Sequence, residues 1–566
     1  MHHYLPEADF EIPPLDLLSL LFDSDYPWAK EDTMVYAEAS NETNHLTLQQ
    51  TATWTRRLAY VLRHEFGIGA LGPEQDVVTC ISSNQVLLPT VFFGVIAAGG
   101  IYSAASTALT TMELARQIEQ SSSTLIIASP DTADVALKAA QKCNIPASRV
   151  LVLRSMAHHR ELTSLGHARN YLANNNSNSN NELLAWERIT DPHVLQTRII
   201  GLVYSSGTTG VPKGVQLSHS NFVAEAIITQ AAIQLFLART NRQVHVNFTY
   251  RALGHLPSAH ISGLQGYFIN GVMAGGTVFW MGKFEFEAFV AAAKHHQVTF
   301  ISSVPSVFLR IAKSPHVTDE HFRSLVHAQS GAAPMGSDTQ CLVEKKIRCN
   351  ISQAWGLTET TGAVTWLPWD RSDRTGSISQ LLPNTRLMIV DDAGVAVDEG
   401  QRGEILVKGP NVTKGYFRNP EATREAFTAD GWFRTGDIGL RKDEKFYIVD
   451  RKKELIKYKG LQIAPAEIEA VLVSHSSVLD AAVIGIDDPR IPGNEVPRAF
   501  VVQDAQQSPL TAQAVMDYVK MHLADHKQLR GGVEFIDQIP RNLSGKILRR
   551  QLMDRVKATQ TQKARL

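Results

Sequence analysis

The segment from Tyr204 to Gly214 carries residue types that can bind a polyphosphate. It reads YSSGTTGVPKG and follows a short apolar run, so three glycines and several hydroxyl side chains lie where a strand should end. Glycine allows sharp turns that point backbone amides at an anion, and hydroxyl and ammonium groups add further donors. Because glycine follows the lysine, this is not a Walker A loop. The predicted phosphate ligands are Ser205, Ser206, Gly207, Thr208, Thr209, Gly210 and Lys213.

This loop resembles the signature of the adenylate-forming superfamily, which contains acyl-CoA synthetases, 4-coumarate–CoA ligases, firefly luciferase and peptide-synthetase adenylation domains. Further motifs follow in the family's order between about Leu46 and Arg550, so the resemblance covers nearly the whole chain. It implies an enzyme that activates a carboxylic acid with ATP as an acyl-adenylate and then passes the acyl group to a thiol. The implied cofactors and co-substrates are ATP, Mg²⁺ and coenzyme A (CoA).

Two motifs resemble the family's adenine and metal sites. The loop Ser330–Met335 resembles the adenine side, and the segment Gln353–Glu359 resembles an aromatic–Gly–x–Thr–Glu motif. An indole face can stack on adenine, which is the role implied for Trp355. Thr358 is expected to donate to the α-phosphate, and Glu359 to bind Mg²⁺ through a carboxylate oxygen. The nucleotide ligands implied here are Gly331, Ala332, Ala333, Pro334, Gln353, Ala354, Trp355 and Gly356.

The ribose site and the catalytic lysine are implied by two later motifs. Asp437, within GWFRTGDI, matches the carboxylate that accepts hydrogen bonds from both ribose hydroxyls, and Arg451 matches a second ribose ligand. The segment Pro540–Arg549 resembles the family's C-terminal lysine loop, which makes Lys546 the expected adenylation residue. Attack of a carboxylate on the α-phosphate gathers negative charge, so positioned cations and Mg²⁺ matter more than a proton-transfer group.

A basic run near residue 450 resembles the family's hinge and thiol-facing hairpin. In the family the small domain rotates between the two half-reactions, and Lys453 falls at the hinge position. Lys457, Gly460 and Gln462 match residues that face the thioester-forming site, where glycine would let a pantetheine arm approach the backbone. Lys459 is expected to contact the same co-substrate. A solvated basic linker would explain the charges but not the KYKGxQ pattern.

The segment Leu256–Leu264 resembles the family segment whose histidine lines the acid pocket, so the resemblance implies that role for His260. Five residues are implied to line it: Ala259, His260, Gln329, Gly362 and Ala363. Several of these are smaller or less polar than the residues that plant coumarate ligases carry, so the sequence favours a roomy apolar pocket. We therefore expect a medium or long acyl chain, or a bulky aryl or polyketide-like acid, rather than coumarate.

Short β-rich runs alternate with amphipathic stretches over most of the chain, as in Thr124–Ser129 and Thr111–Gln120. This alternation predicts an α/β protein with layers of mostly parallel sheet and helices. The pattern of predicted strands and helices changes near residue 450, where a small mobile α+β domain is expected to begin. We predict an N-terminal domain at 1–449, a hinge at 450–453 and a C-terminal domain at 454–566. The polar tract NNNSNSNN at 174–181 is expected to be a surface loop.

The bulk composition excludes several classes of protein. With 55 basic and 56 acidic side chains among 566 residues, the chain has no general field for nucleic acid. The four cysteines form no CxxC pair and suggest free thiols in a reducing compartment. The longest apolar stretch, 86–105, is interrupted by proline and glycine, so a buried element is expected rather than a membrane span. The proline-broken acidic start does not resemble a signal peptide.

The last three residues, Ala564, Arg565 and Leu566, resemble the peroxisomal Ser-Lys-Leu address. We therefore expect recognition by the peroxisomal import receptor, with the cytoplasm as the alternative location.

The sequence leaves several functions open. The preferred one is an acyl-CoA ligase; an acyl-AMP ligase that loads a carrier protein, a luciferase-like oxygenase and a non-catalytic acyl or nucleotide sensor are the alternatives. The presence of Lys213, Glu359, Asp437 and Lys546 argues against the sensor.

Overall fold

Two seven-stranded sheets carry most of the residues singled out above. This computed structural model describes residues 3–157, 159–167, 169–173, 182–205, 212–239, 248–459, 461–488, 491, 494–505, 507–542 and 545–563. The first sheet has the order His159–Ser164, Val150–Met156, Leu125–Ala128, Val77–Ile81, Ile101–Ala105, Ile199–Ser205 and Lys213–Ser218. The second has the order Ile351–Gln353, His327–Ser330, Phe300–Ser303, Arg251–Gly254, Thr277–Trp280, Met34–Glu38 and Asn41–Thr47.

Both sheets are mostly parallel, as the alternating sequence pattern predicted. Antiparallel pairing occurs at the edges, where Val150–Met156 pairs with His159–Ser164 and Ile199–Ser205 pairs with Lys213–Ser218. The hairpin Met34–Glu38 and Asn41–Thr47 closes one edge of the second sheet in the same way. The phosphate-loop motif is therefore the connection between two antiparallel strands, with Ser205 and Lys213 as directly opposed partners.

A layer of helices is sandwiched between the two sheets. Its ring contacts run from one sheet to the other: Phe92 lies 5.2 Å from Tyr102 and 5.9 Å from Phe268 between centroids, and Phe268 lies 5.7 Å from Trp280. The helices of this layer are Leu17–Phe22, Leu48–Phe66, Leu88–Ala97, Pro192–Thr197, His219–Arg239 and the consecutive turns Ile261–Gly263, Leu264–Ile269 and Asn270–Met273. Aromatic burial of this kind stabilises the contact between layers.

Two segments of this layer concern the membrane prediction. The apolar stretch near Leu88 forms a helix whose ten residues are all buried, as expected for a core element. Among the described helices, His219–Arg239 has the length and hydropathy of a membrane span, but 72% of the relevant window is buried inside the protein. Buried polar residues, Asn221 and Glu225 among them, lie on it.

Further helices cover the outer faces of both sheets and complete an alternation of helix and sheet layers. Alanines of Ala133–Lys142 and Leu114 of the neighbouring helix pack on the first sheet. On the second sheet, Phe289 and Phe308 belong to one buried cluster with Phe279. The outer elements are the helices Thr111–Ser121, Ala133–Lys142, Phe286–His295, Pro305–Lys313 and Ser337–Ile347, with the 3-10 turns Ala147–Arg149 and Asp319–Phe322.

After the second sheet the chain builds two smaller antiparallel sheets. One contains Trp355–Leu357, Gly362–Trp366 and Gln380–Leu381, with the 3-10 turn Thr358–Thr360 between its first two strands. The other contains Arg386–Val390, Gly403–Lys408, Phe433–Lys442 and Lys445–Arg451, and the helix Pro420–Ala426 precedes its third strand. The sequence pattern did not predict these antiparallel sheets.

The C-terminal segment has its own apolar core, as expected for a small α+β domain. Ile468, Val483 and Val519 are each completely buried in it. Its strands are Ile456–Tyr458, Leu461–Ile463, Val478–Asp487, Glu495–Gln503 and Val533–Phe535. Its helices are Pro465–Ser474, Ala512–His522 and Arg549–Lys563, with a 3-10 turn at Asp525–Lys527. The predicted hinge 450–453 overlaps the last two residues of the strand Lys445–Arg451, and the exact boundary stays a prediction.

Candidate active site

A cavity of about 800 Å³ opens where parallel strands of the second sheet end, and the small domain reaches over it. The carboxyl ends of parallel strands are the usual place for a ligand site. From the small domain, Asn542, Lys546 and Arg550 line the cavity. Seventeen residues that the sequence singled out also line it: Ser205, Lys213, Ala259, His260, Gln329, Gly331, Ala332, Ala354, Trp355, Gly356, Thr358, Glu359, Gly362, Ala363, Arg451, Lys453 and Lys546.

The remaining predicted residues are placed elsewhere or lie outside the described residues. Ala333, Pro334, Gln353, Asp437, Lys457, Lys459 and Gln462 do not belong to the cavity lining. Residues 206–210 of the phosphate loop, residue 460 and the C-terminal residues 564–566 lie outside the part of the chain that the structure describes. Their predicted roles in phosphate binding, thiol access and targeting stay predictions.

The carboxylate of Glu359 is fixed by two hydroxyl groups at the end of the first sheet. Ser205 Oγ donates to Glu359 Oε1 at 2.8 Å, and the hydroxyl of Tyr416 donates to the same atom at 3.0 Å. Burial and the nearby Glu359 carboxylate raise the pKa of Tyr416, so its phenol stays protonated and can donate. The ammonium of Lys213 lies 5.1 Å from the centroid of the Tyr416 ring. Tyr416 was missed by the sequence interpretation, although it follows Lys414 and Gly415 in a short polar segment.

This arrangement fits a magnesium ion held with a polyphosphate. Among the described residues no hydrogen bond reaches Glu359 Oε2, and the side chain lines the cavity beside Ser205 and Lys213. A carboxylate oxygen is the ligand type that Mg²⁺ prefers, and Mg²⁺ commonly bridges one or two carboxylates to substrate phosphates. Glu359 would hold the ion, which would neutralise phosphate charge, and Lys213 would supply a further positive charge.

Asp437, Trp355 and Arg451 form one buried group beside this carboxylate. Trp355 Nε1 donates to Asp437 Oδ2 at 2.9 Å, and Arg451 Nε lies 3.2 Å from Asp437 Oδ1. Asp437 and Arg451 are direct partners in the ladder between two antiparallel strands, which explains why residues 14 positions apart meet. Burial raises the pKa of Asp437, while Arg451 and Trp355 offset part of that shift. An acidic acceptor, an indole face and a guanidinium at one place can recognise a nucleoside.

Lys546 enters the cavity from the small domain and is held among other charges. Its ammonium lies 4.0 Å from Glu454 Oε1, and Arg549 Nε lies 2.8 Å from Glu454 Oε2. Burial and the positive charge of Arg451 lower the pKa of Lys546, with Glu454 and Asp437 opposing the shift. The backbone of Lys546 is anchored locally, because Lys546 N donates to Asn542 Oδ1 at 2.8 Å. Lys546 and Asp437 therefore belong to one electrostatic group, although they come from different domains.

Gln353 holds the predicted adenine loop Ser330–Met335 through two hydrogen bonds. Gln353 Nε2 donates to Met335 O at 2.9 Å, and Gln353 Oε1 accepts from Met335 N at 3.1 Å. These two bonds hold the loop that carries Gly331 and Ala332 against the strand end. Ala332 has a positive φ of 66°, a left-handed conformation that is uncommon for residues other than glycine. The structure thus places Gln353 as a support for the loop.

One part of the cavity wall, called the far end below, is made of aromatic rings and lies among residues of a separate buried cluster. Tyr250 and Phe300 are stacked with centroids 5.4 Å apart, and Trp366 belongs to the same buried cluster as Ala274. All four residues line the cavity. His260 also lines the cavity, and its Nδ1 is 2.8 Å from Ser262 Oγ. Burial lowers the pKa of His260 to about 4, so the imidazole is neutral at pH 7.

Glu225 is a buried carboxyl group in the wall of this cavity that the sequence interpretation missed. It is 1% exposed and lies on the helix His219–Arg239. Its Oε1 accepts from Ala363 N at 2.8 Å and its Oε2 accepts from Asn411 Nδ2 at 3.0 Å. Burial raises the pKa of Glu225 to about 8, although these two hydrogen bonds oppose the shift. The group is therefore mostly neutral at pH 7.

A neutral Glu225 has a measurable consequence for stability. An unfolded glutamic acid titrates near pH ~4.3, so the folded protein binds more protons between that pH and about 8, and stability falls as pH rises through this window. We expect Glu225→Gln to remove this contribution, so that the wild type loses on the order of a few kcal/mol relative to the variant from pH ~5 to pH ~8. Urea unfolding of both proteins at the two pH values measures it. An unchanged difference between the proteins would mean that Glu225 is ionised.

The predicted thiol-facing hairpin lies away from the cavity. Lys457 and Gln462 are directly opposed across the strands Ile456–Tyr458 and Leu461–Ile463, and both are exposed. Lys459 has a positive φ of 48°, and its backbone N–H donates to Asn494 Oδ1 at 2.7 Å. In this orientation the small domain presents Lys546 to the cavity, while the hairpin faces solvent.

Comparisons with known proteins agree with this geometry. The family described as AMP-binding enzyme matches residues 28–417, and the AMP-binding enzyme C-terminal domain matches residues 467–546. A protein of Emericella nidulans, named provisionally as an acyl-coenzyme A synthetase, is 54% identical over all of both chains. A phenylacetyl-CoA ligase of Aspergillus niger is 34% identical over 97% of this chain and 98% of its own. The solved structure of ATP-bound MatB from Rhodopseudomonas palustris has a TM-score of 0.78 at 27% identity and covers 96% of this chain and 99% of its own.

Proposed function

The chain belongs to the family of AMP-binding enzymes and is an AMP-forming acid–thiol ligase, and from that premise we propose that it joins an aryl-bearing or otherwise bulky apolar carboxylic acid to CoA. The observation that carries the proposal is the single cavity in which Glu359, Arg451 and Lys546 meet an aromatic-walled end. Both half-reactions use this cavity, so the fit of the acid there decides the substrate.

In the first half-reaction an oxygen of the acid's carboxylate attacks the α-phosphorus of ATP. The bond from that phosphorus to its bridging oxygen breaks, and pyrophosphate leaves with the bonding electrons. Lys546 and Lys213 place positive charge where negative charge gathers, and Thr358 lines the cavity as a hydroxyl donor. Trp355 and Asp437 would hold the nucleoside. No side chain has to move a proton in this step, which agrees with the neutral His260 in the cavity wall.

In the second half-reaction the thiol loses its proton to solvent and the thiolate attacks the acyl carbon. The bond from that carbon to the phosphate oxygen then breaks, and AMP leaves with the bonding electrons. The acceptor proposed is CoA, because the relatives that match nearly the full chain include a phenylacetyl-CoA ligase. The exposed hairpin that carries Lys457 and Gln462 would face this acceptor after the small domain rotates. A carrier protein is the alternative acceptor, and it is an outcome of the experiment below.

The proposed acid class follows from the far end of the cavity. Tyr250, Phe300 and Trp366 present ring faces and edges there, and such surfaces favour another aromatic group by offset or edge-on contact. Ala274 and Ala363 add little bulk, so the cavity keeps room beyond the carboxylate. Acids with a bulky apolar body gain contact with this end that a short acid such as propionate cannot make.

A panel of acids tests the proposal. Purified protein with ATP, Mg²⁺ and CoA is given phenylacetate, cyclohexylacetate, octanoate and propionate, while AMP and thioester are followed together. We expect both products with the bulky acids and little with propionate. AMP release without thioester would favour a carrier-protein acceptor, and no turnover with any acid would favour a sensor.

A variant that fills the far end makes the test specific for the site. Ala274→Leu should lower kcat/KM for phenylacetate by ~10-fold or more and change propionate little, because the added carbons occupy the space of the ring. Ala232→Leu is the matched control, since Ala232 packs against the same cluster without lining the cavity. Equal losses for both acids, or equal behaviour of the two variants, would place the acid elsewhere.

A further inference from the structure

Glu225 joins two parts of the active site that are far apart in sequence. Its Oε1 accepts the backbone N–H of Ala363, a residue of the acid-pocket wall, and its Oε2 accepts the side-chain amide of Asn411. The side chain of Glu225 is 1% exposed, and Asn411 is completely buried. Neither partner carries a charge, so the contact is not a salt bridge.

The loop around Asn411 leads directly to the proposed metal ligand. Thr361 Oγ1 donates to Asn411 O at 2.6 Å, and Thr413 N donates to Glu359 O at 2.7 Å. The same helix also holds this loop through Asn221, whose Nδ2 donates to Val412 O at 3.0 Å. The segment that carries Thr358 and Glu359 is therefore fixed from behind by a loop that Glu225 and Asn221 hold in place.

The packing at Gly362 shows how closely the carboxyl group fits. A Cβ atom at Gly362 would lie 2.5 Å from Glu225 Oε1, and Gly362 has a φ of 151°. A side chain at this position would collide with the carboxyl group, so glycine permits the strand to approach it. The wall residue Ala363 follows directly, and its N–H donates to the same oxygen.

We propose that Glu225 is a positioning residue that holds the acid-pocket wall at Gly362–Ala363 and the Glu359 turn in one fixed relation. The inference rests on the acid-activating function proposed above and goes beyond it by assigning a role to a residue that need not touch ATP. A shift of about 1 Å in the pocket wall or in the Glu359 turn would move the carboxylate of the substrate away from the α-phosphorus of ATP. A displacement of this size lowers the rate on the order of 10²-fold.

The surroundings of the Glu225 carboxyl group favour its neutral form. Its two partners, the backbone N–H of Ala363 and the side-chain amide of Asn411, are uncharged donors. Asn411 Nδ2 also donates to Ala363 O at 3.4 Å, so this amide connects Glu225 to the wall residue. Burial raises the pKa of Glu225 to about 8, in agreement with this arrangement.

Three variants in the full-length chain test the role. Glu225→Ala removes the acceptor for Ala363 N–H, and we expect it to lower the acid-dependent exchange of pyrophosphate into ATP by ~10- to 100-fold. Glu225→Gln keeps an acceptor and a donor at the same place, so it should restore exchange to within ~3-fold of the wild type. Val223→Ala is the control for lost stability, because Val223 is a buried residue of the same helix that does not line the cavity.

Two further readouts distinguish positioning from general instability. Calorimetric titration of ATP in the presence of Mg²⁺, which needs neither acid nor CoA, should show weaker binding in Glu225→Ala only. Thioester formation from a supplied acyl-adenylate depends on the acid-pocket wall but no longer on Glu359, so it should fall by clearly less than adenylate formation does, by ~3- to 10-fold. Equal losses in both half-reactions, or losses in Val223→Ala that match those in Glu225→Ala, would overturn the proposal.

The failure of the proposed function would give a different result. In that case the wild type itself would form no thioester from any acid, while Glu225→Ala could still differ from Glu225→Gln in Mg²⁺-dependent ATP binding. If the wild type is active and Glu225→Gln is as impaired as Glu225→Ala, the neutral-acid role is wrong and a charged Glu225 is required.

Discussion

Replacing Lys546 with alanine should lower the rate of adenylate formation by ~10²- to 10³-fold, the effect expected when a positioned charge is removed from the place where negative charge develops. Lys546 enters the cavity from the small domain, and its ammonium lies 4.0 Å from Glu454 and in the electrostatic neighbourhood of Arg451 and Asp437. Arg451 cannot replace it, because its guanidinium is engaged by Asp437. Pyrophosphate exchange in the presence of the acid measures this half-reaction alone.

The same variant should leave the second half-reaction nearly intact. Thioester formation from a supplied acyl-adenylate is expected to use the predicted thiol-facing hairpin, and Lys457 of that hairpin is exposed and does not line the cavity that Lys546 enters. We expect a change of less than ~3-fold in that assay, which is within the scatter of surface substitutions. Lys520→Ala, an exposed lysine on the helix Ala512–His522, is the matched control. Equal losses in both half-reactions would mean that Lys546 supports the fold or the thiol step instead.

Many of the strands and helices that position this site could be predicted from the sequence. A strand that is buried on both faces of a parallel sheet is recognisable as a short run of apolar residues. The run Thr124–Ser129 predicted a strand, and the structure has Leu125–Ala128. The amphipathic stretch Thr111–Gln120 predicted a helix, and Thr111–Ser121 is one, with a capping box at Thr110 and Glu113. Local pattern and tertiary position agree at these elements, so the prediction held.

The antiparallel parts of the molecule carried a weaker signal. The segment with Asp437 was identified by its ribose motif but was not assigned to a strand, and the structure places it within the strand Phe433–Lys442. Only the pairing of that strand with Lys445–Arg451 places Arg451 opposite Asp437. Which residues face each other across two strands depends on which strands pair and in what register, and a single sequence does not determine this.

The residues that were missed act through partners distant in sequence. Tyr416 reaches Glu359 through its hydroxyl, and Glu225 reaches Ala363 and Asn411 from the middle of a buried helix. The helix is apolar overall, so one acidic residue in it could have been found as an exception to the hydrophobic pattern. Buried acidic groups are rare unless they are paired or neutral, so an acidic residue in an apolar helix indicates a position with a specific role.

Replacing Asp437 with asparagine should raise the KM for ATP by ~10²-fold, since each hydrogen bond to a charged group contributes about 1.5–3 kcal/mol and the carboxylate is expected to accept from two ribose hydroxyls. The substitution also puts an amide N–H₂ or a neutral oxygen where Arg451 now meets a carboxylate at 3.2 Å. Trp355 can keep its partner, because an asparagine oxygen accepts its indole N–H as Asp437 Oδ2 does. The adenine-stacking face should therefore remain in place.

The expected loss is specific to the nucleotide and should not appear in the KM for the acid. Initial rates with ATP and acid varied separately measure the two constants, and Asp430→Asn is the matched control, because that exposed aspartate is on the turn before the same strand. An unchanged KM for ATP would remove the ribose role from Asp437. A rise in both constants with a lower melting temperature would instead show that the carboxylate stabilises the sheet through Arg451. The two outcomes differ because Arg451 alone depends on the negative charge, whereas Trp355 depends only on an acceptor at that position.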